Sequence, residues 1–250
     1  MPDFENIIYN EEDNISWIKL NRPEKLNALT KQMWEEFYES LDLAKKSDTQ
    51  LIILTGIGRA FSAGDDIIAM HELKNEDEAT QFFFTLLRSL ESLLNIEKPV
   101  IGMVNGLAYG GGCEILLLAD IVIATENSKF ALPEIKLGLI PPIALSVGYA
   151  QLGIKQINRL ALTGEAIDVY EAKSIGLVDY ITSEDNLKNK TLKTAWTLLE
   201  NAPYSIQFIK KWSNKCKIKF ELNEAISELI KLSLKEESKK RMEGFINKHR

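Results

Sequence analysis

Cysteine and histidine are scarce: the 250 residues hold two of each. Cys113 and Cys216 give no spacing that suggests a disulfide framework, and no metal site is expected. No apolar run approaches the roughly 20 residues that span a bilayer. The first residues, Met1-Pro2-Asp3-Phe4-Glu5, have no basic segment followed by an apolar stretch, so no secretory signal is read there. Basic residues are outnumbered, 30 Lys and Arg against 36 Asp and Glu, for a net charge of -6. That balance, with no basic stripe, argues against nucleic acid or an anionic membrane as the main partner. A soluble, cytoplasmic chain without a membrane segment is expected. At 45% hydrophobic and 26% charged, it has enough apolar residues for one sizeable core.

What is present centres on Asn105-Gly106-Leu107-Ala108-Tyr109-Gly110-Gly111-Gly112-Cys113-Glu114. A strand-length apolar run, residues 99–104, precedes it, and a buried helix, residues 115–120, is expected after it. Three consecutive glycines remove every side chain from that turn, so backbone N–H groups face a ligand on the helix N-terminus unobstructed. Glu114 sits in the first turn beside them. An oxyanion site with an acid/base next to it is the catalytic reading; close packing of a helix on a sheet is the plain one. The turn is neither G-x-G-x-x-G nor followed by Lys-Ser/Thr, so it supports neither a dinucleotide site nor a phosphate loop.

Along the chain, residues 7–9 and 15–20 are strand-like and read as a hairpin around a polar loop at 10–14. Thr30 caps a helix whose apolar face is Met33, Trp34, Phe37 and Leu41. The run 51–56 fits a strand covered on both faces and leads into a second small-residue turn, Arg59-Ala60-Phe61-Ser62-Ala63-Gly64-Asp65-Asp66-Ile67. A helix over 79–96 and a strand over 121–124 follow. Residues 130–142 are irregular and proline-punctuated, and a largely apolar helix lies near 143–152. Further helices are expected at 157–162, 169–174 and 187–200, with a last strand at 177–181 and a helical, increasingly charged stretch from Pro203 on. Strand, small-residue turn, helix in alternation is the grammar of α/β units. No internal repeat is visible. A second carboxylate, Glu134, follows Pro133 in an apolar segment, where an unpaired charge is costly; pairing with a lysine or capping a helix are equally open readings.

Taken together, residues 60–67, 105–114 and 132–138 stand in the order and rough spacing seen in the enoyl-CoA hydratase (crotonase) family, which the chain resembles over nearly its full length. Residues 21–29 and 162–178 match as well. The resemblance implies an α/β crotonase-like spiral of repeated ββα units over residues 1–195. It also implies a helical C-terminal region over 196–250 that serves trimerisation and closes the site. Trimers or dimers of trimers and acyl-CoA thioester substrates are implied too, with coenzyme A part of the substrate and no separate cofactor. The oxyanion hole resembles the backbone N–H groups of Asp65 and Gly111. Asp65 stands where alanine is common in the family, and its carboxylate is expected to turn to solvent. Glu114 and Glu134 match the two glutamates of the family's hydratases: Glu134 as the acid/base at C2, Glu114 as the group positioning water. Lys25, Leu26 and Ala28 resemble a CoA-contacting loop. Asp66 and Ile67 fall near the adenine and Lys248 near a CoA phosphate, and Ile68, Ala63, Gly110, Pro133 and Pro141 are further substrate-binding positions that the resemblance implies.

The chain departs from the family after Gly138. Pro141-Pro142-Ile143-Ala144-Leu145 replaces Pro-Gly-x-Gly-Gly, which stiffens the loop and is expected to narrow the acyl pocket; alternatively Pro142 opens a helix and faces away from the ligand. The function implied is hydration of a 2-enoyl-CoA in fatty acid metabolism, a hydro-lyase reaction. The rivals are a 3,2-enoyl-CoA isomerase and a CoA- or RNA-binding scaffold, against which two intact glutamates and the acidic balance argue.

Overall fold

In the computed structural model, residues 3–216 and 222–249 are described, with the side chains of Lys215 and Cys216 excepted. Residues 217–221 of the stretch expected to be helical from Pro203 on lie outside them, as do Met1, Pro2 and Arg250.

Strands β1 (Ile7–Glu12) and β2 (Ile15–Leu20) pair antiparallel, with Glu12 opposite Ile15. The turn is only Asp13-Asn14, both at positive φ (52° and 63°), a two-residue connection that matches strand twist. The polar residues 10–12 therefore extend β1 rather than form a loop. Helix α1 (Lys31–Lys46) starts where Thr30 Oγ1 accepts the Met33 N–H at 3.2 Å, and it buries Met33, Trp34, Phe37 and Leu41 as the spacing predicts.

Three successive units then repeat one plan. Strand β3 (Leu51–Gly56) leads to the short β4 (Ala60–Ser62) and helices α2 (Ile67–Glu72) and α3 (Glu76–Leu94). Strand β5 (Val100–Val104) leads to β6 (Leu107–Tyr109) and α4 (Gly111–Leu118). Strand β7 (Ile121–Thr125) leads to β8 (Lys129–Ala131), a 3-10 turn over Pro133–Leu137, a π-helical turn over Ala144–Gly148, then α5 (Tyr149–Leu152) and α6 (Ile154–Thr163). Each long strand adds in parallel to one sheet and each short strand to another, so every unit steps once along both. After β9 (Ile167–Asp168), α7 (Val169–Ser174) and β10 (Tyr180–Thr182), the sheets read β1-β2-β3-β5-β7-β10 and β4-β6-β8-β9. The repeat is one of architecture: what recurs is buried strand, small-residue turn, helix, while the residues filling each place differ, so the sequence shows none. Leu177 and Val178 are buried in the approach to β10, whose pairing with β7 begins only at Tyr180, later than the apolar run suggests.

Strand β3 is covered on both faces. Leu51 and Ile53 pack with Ile15, Trp17, Ile101 and Ile123 beneath helix α8 (Leu187–Leu199), while Ile52 and Leu54 face the larger core with Trp34, Phe83 and Leu116. Beyond α8 come α9 (Pro203–Cys216), α10 (Leu222–Ser233), which packs on α3, and α11 (Glu236–Lys248), which packs on α2 and the 3-10 turn. Two lysines tie these helices down. Lys210 is buried and meets Asp120 at 2.6 Å; Lys239 Nζ donates to the carbonyls of Met70, His71 and Leu73 at the C-terminal end of α2. Among the described residues, no helix is long and apolar enough to cross a membrane.

One side chain makes four of the hydrogen bonds that hold loop 21–29. Asn27 is fully buried; its Nδ2 donates to the carbonyls of Ile57, Ala60 and Phe61 at 3.0, 2.9 and 3.2 Å, and its Oδ1 accepts the Arg22 N–H at 2.8 Å. Asn27→Ala strands these groups and is expected to cost about 2–4 kcal/mol in urea unfolding. A loss below about 0.5 kcal/mol, the size of an ordinary surface change, contradicts that accounting.

Candidate active site

Because β4 and β6 are neighbours in the small sheet, the turns that follow them lie side by side. Gly64 has φ +90°, and a Cβ there would fall 2.8 Å from the Tyr109 carbonyl and 3.3 Å from the Gly111 nitrogen. Gly110 has φ +51° and would push a Cβ to 3.1 Å from Glu134 Oε1. Only glycine allows both the backbone angles and this approach. Leu29 bridges the first turn by donating to the Gly64 carbonyl and accepting from the Asp66 N–H, both near 2.8–2.9 Å, which leaves the Asp65 N–H on the opposite side. Gly111 is the first residue of α4, where its N–H has no intrahelical partner. Two N–H groups from two adjacent turns thus border one cavity of about 50 Å³.

Both glutamates reach this cavity, but with unequal partners. Glu114 is 1% exposed, and its Oε1 accepts the N–H groups of Ile143 at 2.7 Å and Ala144 at 2.9 Å. Those are orphan donors of the helical turn that Pro142 opens, so Glu114 caps that helix from another element. Burial nonetheless pushes its carboxyl up to about 8, the two N–H groups opposing the rise and the nearby Asp65 adding to it. Glu134 is held by the 3-10 turn, and its Oε2 is buried without a hydrogen-bond partner. Burial first, and the charge of Glu114 second, hold its carboxyl well above the usual range. A carboxyl pair of this kind keeps a proton at neutral pH.

Asp65 corrects an expectation. Its carboxylate turns inward, Oδ1 accepting the Trp34 Nε1–H at 2.8 Å, and burial raises it to about 6 against the lowering effect of that hydrogen bond. The indole is a polar partner inside the core that a solvent-facing carboxylate would have left unmatched. Asp66 is occupied by structure: it caps α2 through the N–H groups of Ile68 and Ala69 and pairs with Arg22 at 2.6 Å.

Of the other residues singled out in the sequence, Ala63, Ile67, Gly110 and Pro133 line the cavity. Lys25 is exposed, Leu26 and Ala28 lie in the adjacent loop, and the Leu26 carbonyl accepts the Ala63 N–H at 2.9 Å, which sets that loop against the cavity edge. Ile68 is 48% exposed and Lys248 exposed; neither lines the cavity, nor does the buried Pro141. Pro142 opens the helical turn but does not face away from the cavity, which it lines, whereas Ile143 is wholly within the core. Sequence reasoning missed Met70, Phe83 and Leu229, from α2, α3 and α10, which line the cavity's apolar side; Phe83 and Leu229 fall in stretches read only as helical.

Residues 10–249 match the enoyl-CoA hydratase/isomerase family, and the chain belongs to it. It is 34% identical over 257 aligned residues to the short-chain-enoyl-CoA hydratase of Clostridium acetobutylicum, covering 99% of this chain and 97% of that one. Among solved structures, an enoyl-CoA hydratase/isomerase from Pseudoalteromonas atlantica matches with a TM-score of 0.86 at 26% identity, covering 98% of each chain. One from Mycobacterium paratuberculosis shares the fold at a TM-score of 0.89 and 24% identity, over 96% of this chain and 98% of that one.

The raised carboxyls carry a stability signature. A group that binds its proton more tightly folded than unfolded stabilises below its unfolded value near pH 4.3, and this is lost as pH climbs through the folded value. Melting temperature is therefore expected to fall between about pH 5 and pH 8. Glu134→Gln, which gives up no hydrogen bond at Oε2, flattens that slope and melts roughly 2–6 °C higher at pH 8. A variant that melts lower than the parent at pH 8 contradicts the burial of that carboxyl.

Proposed function

We propose that this chain is an enoyl-CoA hydratase that adds water across the 2,3-double bond of a short-chain 2-enoyl-CoA. The observation that carries the reading is the pair of buried carboxyls with unequal partners beside one cavity, Glu114 held by two N–H groups and Glu134 by none at Oε2. The first is the more easily ionised and serves as the base; the second keeps its proton and serves as the proton donor. The thioester oxygen sits on the N–H groups of Asp65 and Gly111, which stabilise the charge it gathers as C3 is attacked; one such donor is worth about 10²–10³ in rate. Glu114 orients a water and takes one of its protons as the oxygen bonds to C3, and Glu134 delivers its own proton to C2; the proton left on Glu114 then passes to Glu134, which returns the pair to its starting state. The loop at Lys25, Leu26 and Ala28 receives the coenzyme, with the Lys25 ammonium as the cation nearest its phosphates.

The acyl length follows from space. Met70, Phe83, Leu229 and Pro142 narrow the cavity on its apolar side, so bulk there sets how long an acyl group the site accepts. The name of the Clostridium relative, a short-chain-enoyl-CoA hydratase, supports a short chain.

Glu114→Gln and Glu134→Gln are each expected to lower kcat for crotonyl-CoA hydration by about 10²–10⁴ with little change in thioester binding, and the double variant to lose little beyond the worse single one. Double-bond migration in a 3-enoyl-CoA without hydration of crotonyl-CoA would assign the isomerase reaction in its place. Phe83→Ala is expected to move the preferred chain longer, each added methylene shifting discrimination by roughly 1–3 kcal/mol. A parental enzyme with equal kcat/KM from four to about sixteen carbons rules out the cavity as the acyl pocket.

A further inference from the structure

A third carboxyl group borders the cavity. Asp65 Oδ1 is fixed by the Trp34 indole N–H at 2.8 Å, and Oδ2 lies 3.3 Å from where a Gly111 Cβ would be. Around it, α1 brings neutral Trp34, α4 brings Glu114, and the 3-10 turn brings Glu134. Its own turn brings Asp66, whose charge is met by Arg22. Helices α2, α3 and α10 contribute Ile67, Met70, Phe83 and Leu229, all apolar. Among the described residues, no lysine, arginine or histidine lines the cavity, and no group of metal-ligating side chains is found. Among the lining residues, the charge of Asp65 meets no cation, only the Trp34 dipole and the protons of the other two carboxyls.

We infer that Asp65, anchored by Trp34, is a positioning residue whose charge keeps a proton on the Glu114–Glu134 pair, and thereby sets the alkaline limit of turnover. The indole N–H favours the ionised Asp65, and with three carboxyls on one cavity and no cation among its lining residues, the negative charge of Asp65 makes a proton on the pair harder to remove. A proton donor for C2 thus persists into alkaline solution. The inference rests on the hydratase reading only for its effect on turnover; the proton itself can be observed without substrate.

Asp65→Asn keeps the backbone N–H and an oxygen for Trp34 while removing the charge. The alkaline limb of kcat/KM is expected to move down by about one pH unit, as is the titration of the protonated carboxyl C=O band in infrared difference spectra of the substrate-free protein. Asp65→Ala, which removes the charge without offering an amide, is expected to shift the band equally and serves if the asparagine variant does not fold. A band that stays in place overturns the inference even in a fully active enzyme, and leaves Asp65 as an anchor for Trp34. A band that moves in a protein unable to hydrate crotonyl-CoA upholds the coupling and overturns the hydratase reading alone.

Discussion

The constraint on which the site depends is the burial of like-charged groups with no cation to meet them. Glu114, Glu134 and Asp65 converge on one small cavity that, among the described residues, no cationic side chain lines, and the Arg22 guanidinium is committed to Asp66. In such surroundings a carboxyl keeps its proton, finds dipoles to lean on, or does both in part. Here the dipoles are two main-chain N–H groups for Glu114 and an indole for Asp65, while Glu134 has neither at its inner oxygen. That distribution sets Glu134 apart from the other two; the rise of Glu114 and of Asp65 is set by burial first.

The double spiral supplies the donors at fixed places. Each repeat ends its short strand at the same edge of the small sheet, so the turns after β4, β6 and β8 deliver Asp65, Gly111 and Glu134 to one spot from chain positions far apart. The C-terminal helices complete the enclosure: Leu229 of α10 is part of the wall, and Lys239 and Ser238 of α11 fasten the end of α2 and the Gly138 carbonyl. The site is framed by strands and closed by helices from the far end of the chain.

Much of this was legible in the residues. The unbroken apolar run 51–56 showed a strand with two covered faces, and the spacing of Met33, Trp34, Phe37 and Leu41 showed which side of α1 is buried. The order of the small-residue turns and the two glutamates pointed to the family and to the site. What could not be read depended on contacts between distant segments. Trp34 looks like any core aromatic until its N–H is seen to face Asp65 across 31 positions, and Phe83 and Leu229 share the periodicity of dozens of residues that touch no cavity. The π turn over Ala144–Gly148 and the late start of β10 are set by packing rather than by local preference. The twofold role of Pro142 was stated as a choice because sequence alone does not tell which side of a helix end meets a cavity.

Glu114 also fastens the helix opened by Pro142, and this bears on how such a chain can change over generations. A substitution that removes the carboxylate silences the proposed chemistry and, in the same step, strands the N–H groups of Ile143 and Ala144 in the core. Loss of activity is therefore not neutral for folding. A lineage drifting toward a silent thioester-binding scaffold would have to retain an acceptor there, as glutamine does, or acquire a second change that recaps the helix. Descendants without activity should carry that compensation as a visible scar.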